Sequence, residues 1–333
     1  MRLTNLPENQ VTLLLGAPRS GTTWLGKILD SHPDVLYRHE PDTVRQTREL
    51  PAVCLPEQIP DHQDMARAYL RGLMNVTALP SAGSLPVFPK SYRLRLVGKA
   101  RAQLINSIHA ADRWKKLRAK AQAFNVPDMI SARQAANVHL VLKSIRSRGR
   151  AGLLAQALPQ ARIVFEVRDP MGYVAAMLRG TRHGRFSSRI PAQELLNTAQ
   201  ARKAGLTETA YHQLPVLEQL AWNWCILNQK AIDELAGLGR VKIVHYNDLC
   251  TTPVRAARDV FNFLDLPWHA QTDDFIRACL DYEGKDPAFR LYRNARRSLN
   301  RWQGDLRQED RDRIEAVARK TPLWDLCMIP ATA

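Results

Sequence analysis

Cysteine is scarce in this chain of 333 residues, and its spacing rules out two architectures. Five are present, Cys54, Cys225, Cys250, Cys279 and Cys327, an odd number with no CxxC pair. A disulfide scaffold or a cysteine zinc site is excluded on that spacing. Long apolar runs are also missing. The longest near the amino end is Val11 to Ala17, far short of the roughly 20 residues that span a bilayer. The first ten residues are too polar for the apolar core of a secretory signal, so the reading is a reduced, cytoplasmic protein without a membrane anchor. Aromatic residues make up 7%, too few for a base-stacking platform. Internal repeats and low-complexity segments are absent, which excludes a solenoid.

Negative charge is in deficit as well. Against 48 Lys and Arg stand 32 Asp and Glu, a formal net charge of +16, which points to an anionic partner without naming one. The densest basic stretch runs from Lys90 to Lys120, with ten Lys and Arg and one acid, Asp112. It reads either as a solvated helical face or as an electrostatic funnel for an anionic acceptor or a membrane surface. A nucleic-acid-binding protein is the competing class for this run. It is disfavoured because the run carries only Tyr92 and Trp114 as stacking residues.

A 45% apolar composition supplies ample core for an α/β domain. Four short runs rich in Val, Ile and Leu read as buried strands: Val11 to Gly16, Val138 to Leu142, Ile163 to Val167 and Val241 to His245. Each precedes a helical stretch. The pattern predicts one α/β domain over residues 1–333, with a central, mainly parallel sheet between helices and ligands outside the carboxyl ends of the strands. The long interval between the first two predicted strands reads as a helical, basic insertion at about 60–135, on the acceptor side.

The strongest local signal is Gly16-Ala17-Pro18-Arg19-Ser20-Gly21-Thr22-Thr23-Trp24, which joins the first strand to a helix expected to begin near Ser20. Two glycines allow a tight turn, so that backbone N–H groups and a helix N-terminus converge on a phosphate, with Ser20, Thr22 and Thr23 adding hydroxyl donors. Gly16 and Gly21 have the spacing of a nucleoside-triphosphatase loop, but Thr22 occupies the lysine position and the cation has moved to Arg19. A P-loop kinase or nucleotide hydrolase is therefore the runner-up, further disfavoured because no magnesium aspartate follows a hydrophobic strand. The third predicted strand ends in Val167-Arg168-Asp169-Pro170, which puts an arginine at a strand mouth, where it can grip a second phosphate.

The segment Pro18 to Leu25, PRSGTTWL, resembles the loop of the P-loop sulfotransferases, closest in motif to bacterial and tyrosylprotein or carbohydrate-type members. The resemblance implies 3′-phosphoadenosine 5′-phosphosulfate (PAPS) as co-substrate, no metal, and transfer of a sulfonate to an acceptor hydroxyl with release of adenosine 3′,5′-bisphosphate. It implies that Pro18, Arg19, Ser20, Gly21, Thr22, Thr23 and Trp24 bind the donor. Arg19 would neutralise the bridging oxygen, Thr22 and Thr23 the 5′-phosphate, and Trp24 would stack near the adenine. Arg168 corresponds to the family's 3′-phosphate arginine, while the family serine eight residues on is Ala176 here. That change removes a hydrogen bond worth about 1.5–3 kcal/mol to a charged partner, with Arg296 or Arg297 as candidate replacements. Ser298-Leu299-Asn300-Arg301-Trp302 resembles a late family segment that folds over the nucleotide, which implies donor contacts for Ser298 and Arg301. His245 to Leu249 resembles another segment, read as structural.

His32-Pro33-Asp34-Val35, followed by Glu40, is similar to a family segment whose glutamate is the catalytic base, needed because an attacking hydroxyl must lose its proton. His39 is the alternative base. Lys143, at the end of the second predicted strand, matches the lysine that approaches the transferring sulfonate. The catalytic set is thus Arg19, Glu40 and Lys143. The acceptor bears a hydroxyl. Glycan, lipid, phenolic metabolite and peptide tyrosine stay open, and the basic insertion favours an anionic glycan or lipid-linked one. Peripheral membrane contact stays open too, no nucleic-acid partner is expected, and oligomeric state is undetermined.

Overall fold

In a computed structural model, which describes residues 3–112, 123–131, 133, 135–182, 190–282 and 299–328, five strands form one sheet. They are β1 (Val11–Gly16), β2 (Val35–His39), β3 (His139–Ser144), β4 (Arg162–Val167) and β5 (Val241–His245). The spatial order is β2-β3-β1-β4-β5, and every neighbouring pair is parallel. The expected α/β class is therefore what the chain adopts, with all pairs parallel.

Alternation along β1 explains the layering. Leu13 and Leu15 enter one core cluster, shared with Leu140, Leu142, Ile163 and Phe165, whereas Leu14 enters a second with Val141 and Val164. Successive side chains of a strand point to opposite faces, so a sheet that is apolar on both faces needs cover on both. The first face is covered by helices that include Ile59–Met74, Ala151–Ala157 and Val216–Leu235. The second lies under α1 (Thr22–Ser31), Pro253–Phe263 and Ala270–Asp281.

The strand absent from the sequence reading is β2. Its Tyr37 and Arg38 are buried and its letters are half polar, so no apolar run announces it. The Arg38 guanidinium is accommodated by an ion pair with Asp128 at 2.5 Å and a bond from Nε to the Met74 carbonyl at 3.1 Å. In β3 the strand continues past Leu142 through Lys143 and Ser144, and this extension carries a candidate catalytic residue to the strand's end. After β2 come α2 (Pro41–Val44), α3 (Ile59–Met74), α4 (Leu79–Ala82) and α5 (Arg95–Asp112). No helix among the described residues is long and apolar enough to cross a membrane.

Register puts the functional ends side by side. Leu14 of β1 is level with Lys143, His39 of β2 is also level with Lys143, and Gly16 is level with Glu166 of β4. The chain leaves β1 toward β2 and β3 on one side, and β4 and β5 lie on the other. This is a topological switch point, where open parallel sheets leave a crevice at their carboxyl ends.

Candidate active site

The loop from Ala17 to Gly21 is shaped by two residues in the left-handed region, Arg19 at φ 67° and Gly21 at φ 109°. Gly21 is required twice over. Its φ disfavours any side chain, and a Cβ there would collide with the Tyr246 ring and with the Glu166 carboxyl. A Cβ on Gly16 would sit 2.7 Å from the Glu166 carbonyl and 2.7 Å from Thr22 Cγ2. Helix α1 starts at Thr22, two residues later than expected. The Trp24 amide donates to the Gly21 carbonyl at 2.7 Å, which leaves the amides of Thr22 and Thr23 without an intrahelical acceptor, an arrangement suited to an anion.

Not every loop residue is disposed as expected. The Ser20 hydroxyl donates to the Ala17 carbonyl at 2.7 Å and is buried, so its proton holds the turn together. Trp24 is only 9% exposed and sits in the second core cluster with Leu25, Ile28 and Tyr37. It is a packing residue, not an open stacking surface for a base. Thr22 is buried at the helix start, while Thr23 Oγ1 accepts from Lys143 Nζ at 3.1 Å.

Glu40 follows β2 at φ 44°, the second candidate catalytic residue in the left-handed region after Arg19. Among the described residues only Met129 and Asp265 share this conformation without being glycine. Such strain concentrates where a side chain must be held at one angle. It turns the Glu40 carboxylate onto Lys143, with which it forms an ion pair. Lys143 is buried, and burial pulls its ammonium below the ordinary lysine value while Glu40, Asp42 and Glu166 oppose that shift. The Ser144 hydroxyl donates to Asp42, fixing α2 to the end of β3.

His39, the alternative base, has Nε2 3.8 Å from Glu40 Oε1 and Nδ1 3.1 Å from the Tyr37 hydroxyl. Burial, followed by the charges of Lys143 and Lys27, holds its imidazole well below the usual range. Its imidazole is therefore neutral at physiological pH.

Arg168 leaves the end of β4 and reaches back to the loop. Its Nη1 donates to the Arg19 carbonyl at 3.0 Å, and its guanidinium lies over the Tyr246 ring at 4.5 Å. It therefore braces the loop that carries Arg19. Ala176 is buried within the helix Pro170–Arg182. Arg296, Arg297 and Ser298 lie outside the described residues. Arg301 is exposed at the start of the short helix Trp302–Asp305.

Two participants escaped the sequence reading. Tyr246, read as structural, packs against Gly21 and under Arg168. Glu166 is fully buried beneath the loop, and neither carboxyl oxygen has a hydrogen-bond partner. Burial raises its pKa well above the usual carboxylate value, with Lys143 and Arg168 acting the other way. An isolated acid inside an apolar strand offered no spacing signal. No group of His, Cys, Asp and Glu able to hold a metal occurs among the described residues.

The profile of the Sulfotransferase family matches residues 12–270. Solved structures with similar folds include the sulfotransferase domain of the olefin synthase of Synechococcus PCC 7002, at 17% identity, covering 96% of this chain and 98% of that one with a TM-score of 0.46. A second is a mouse sulfotransferase complexed with PAP, at 13% identity, 97% and 88% coverage and a TM-score of 0.42. A third is a sulfotransferase of Mycobacterium avium, at 17% identity, 89% and 76% coverage and a TM-score of 0.39. A search of curated protein sequences finds no match. With the family profile spanning the sheet from β1 to β5 and the loop, lysine and glutamate gathered at its carboxyl end, the chain belongs to the sulfotransferase family.

Proposed function

We propose that this protein transfers a sulfonate group from PAPS to an acceptor hydroxyl and releases adenosine 3′,5′-bisphosphate. The observation that carries the reading is the convergence, at one end of a parallel sheet, of the β1–α1 loop, the Lys143–Glu40 pair and Arg168. The loop's fit to a phosphosulfate rests on its glycine cradle at Gly16 and Gly21 and on the N-terminus of α1. Bound there, the donor would supply a sulfonate activated by its anhydride link to phosphate.

The chain's own residues would do the remainder. The amides at Gly21, Thr22 and Thr23 bind the 5′-phosphate and fix the direction of attack, which contributes through positioning. Glu40 takes the acceptor's proton as its oxygen bonds to sulfur. Arg19 neutralises charge on the bridging oxygen as the bond from sulfur to the donor's 5′-phosphate oxygen breaks and adenosine 3′,5′-bisphosphate leaves, and Lys143 stabilises the equatorial oxygens. Arg168 would bind the 3′-phosphate and distinguish this donor from ATP. The acceptor bears a hydroxyl and approaches from the side of Glu40.

Calorimetric titration with adenosine 3′,5′-bisphosphate and with ATP plus magnesium tests the assignment. Preference for the bisphosphate is expected. Tighter binding of ATP, accompanied by its magnesium-dependent hydrolysis, would overturn the reading in favour of a nucleotide hydrolase or kinase.

A further inference from the structure

The basic stretch is less uniform than its letters suggest. Arg93 and Arg101 are buried, as is the side chain of Lys90, and all three serve the fold. Lys90 pairs with Asp30 at 2.9 Å, Arg93 Nε donates to the Asp128 carbonyl at 2.6 Å, and Arg101 Nε donates to the Pro127 carbonyl at 2.8 Å. The two arginine bonds tie Pro127 and Asp128, next to Met129, to α5 and the residue pair before it. Among the described residues of the stretch, the cations left on the surface are Arg95 and Lys99.

Large apolar side chains are exposed on the same part of the molecule. Of the eight exposed large hydrophobics among the described residues, five fall between Leu94 and Met129. Leu94 is 65% and Leu96 80% exposed, on either side of Arg95. Leu96 lies on the side of α5 opposite buried Ile105, and Leu104, about two turns further on, is exposed as well. Met129 is 45% exposed and held at φ 54°, an unusual backbone for a residue with a side chain. Leucines standing this far out cost hydration free energy unless something apolar receives them.

We infer that the outer face of α5, with Leu94 and Met129 beside it, is a docking surface for an anionic lipid bilayer. Aliphatic tips flanked by Arg and Lys suit an interface where acyl chains begin just below phosphate headgroups. The exposed charges of Arg95, Lys99 and Arg133 are all positive, so charge complementarity selects an anionic surface. A second copy of the chain is a poorer occupant, since a two-fold contact would set this basic face against itself. Nucleic acid is poorer too, because leucine and methionine offer no plane on which a base can stack.

Co-sedimentation of the full chain with vesicles tests the inference, and it requires neither donor nor acceptor, so its outcome is independent of the sulfotransferase reading. Binding to phosphatidylcholine vesicles with about 30 mol% phosphatidylserine should exceed binding to phosphatidylcholine alone by about tenfold or more, and should fall as salt rises. Leu94→Gln with Leu96→Gln should lower partitioning by about tenfold or more, and Arg95→Gln with Lys99→Gln should erase the preference for anionic vesicles. Unchanged thermal midpoints would show that both variants fold. Absence of vesicle binding, equal binding to both compositions, or unaltered partitioning of the leucine variant would overturn the inference. So would a wild-type dimer, measured by light scattering, that the leucine substitutions dissociate.

Discussion

Lys143 at the end of β3 and Glu40 just past the end of β2 form an ion pair across neighbouring strands, and the lysine also donates to Thr23 in the first turn of α1. Each carries a proposed role that the pairing suppresses. A carboxylate bound to an ammonium is a weakened base, and an ammonium bound to a carboxylate is a weakened stabiliser of sulfonate oxygens. Recruitment of Lys143 by the donor would release Glu40 for the acceptor proton, coupling donor arrival to activation of the base.

Removing either partner separates the two roles. Lys143→Ala should lower turnover by about a hundredfold or more. Glu40→Gln should lose turnover while affinity for adenosine 3′,5′-bisphosphate does not fall, since the acceptor's base is removed and Lys143 is left free for the donor. Steady-state kinetics beside calorimetry reads both quantities. Parallel loss of turnover and affinity in Glu40→Gln would make Glu40 a structural residue.

Arg19→Ala exchanges one residue at φ 67° for another with the same backbone penalty, so it isolates the guanidinium. Turnover should fall by about a hundredfold or more, the scale for loss of one charge-stabilising group. A variant with near-normal turnover would remove Arg19 from the reaction.

Arg168→Met should reduce affinity for adenosine 3′,5′-bisphosphate by about tenfold to a hundredfold, equivalent to about 1.5–3 kcal/mol for a hydrogen bond to a charged group. Affinity for AMP, which has no 3′-phosphate, should fall less, reflecting only the lost brace on the Arg19 carbonyl. Equal losses for the two nucleotides would reduce Arg168 to that brace.

Gly21→Ala should be the most disruptive small change in the loop. A left-handed φ of 109° and contacts with Tyr246 and Glu166 combine to cost about 2–5 kcal/mol, adding the backbone penalty to that of overpacking. A lowered thermal midpoint with loss of bisphosphate binding is expected from differential scanning fluorimetry and calorimetry.

How much of this was legible beforehand follows from the chemistry of each strand. β1, β4 and β5 are apolar runs, and their boundaries could be read almost to the residue. β2 hid because its buried Arg38 is satisfied by a partner distant in sequence, Asp128, while its Tyr37 bonds to His39 two residues on. In the site, the loop glycines and Arg19 have a spacing that means something locally. Tyr246 and Glu166 do not, since their importance lies in standing behind Gly21, a fact of sheet order and register. Trp24 shows the opposite case, a motif residue absorbed by the core. The late segment at Ser298 to Trp302 falls beyond the family match at residue 270.

Glu166 gives stability a pH dependence of definite sign. Its pKa is raised in the folded protein above the ordinary 4.5, so the native state holds a proton that the unfolded state gives up. The resulting stabilisation is complete below pH 4.5 and is lost as pH rises toward the folded value. Glu166→Gln, neutral at every pH, should flatten this part of the profile and be stabilised relative to wild type as pH rises. Urea denaturation of both proteins between about pH 5 and 9 checks it. Parallel curves would mean that Glu166 is ionised in the native state.

The central claim is that the β1–α1 loop holds the sulfate-bearing end of the donor beside Lys143 and Glu40. A crystal structure with adenosine 3′,5′-bisphosphate bound tests it most directly. The account predicts the 5′-phosphate on the amides at Gly21 to Thr23, the 3′-phosphate against Arg168, and Lys143 turned toward the loop. Phosphates bound away from the loop, with the Lys143–Glu40 pair undisturbed, would contradict it.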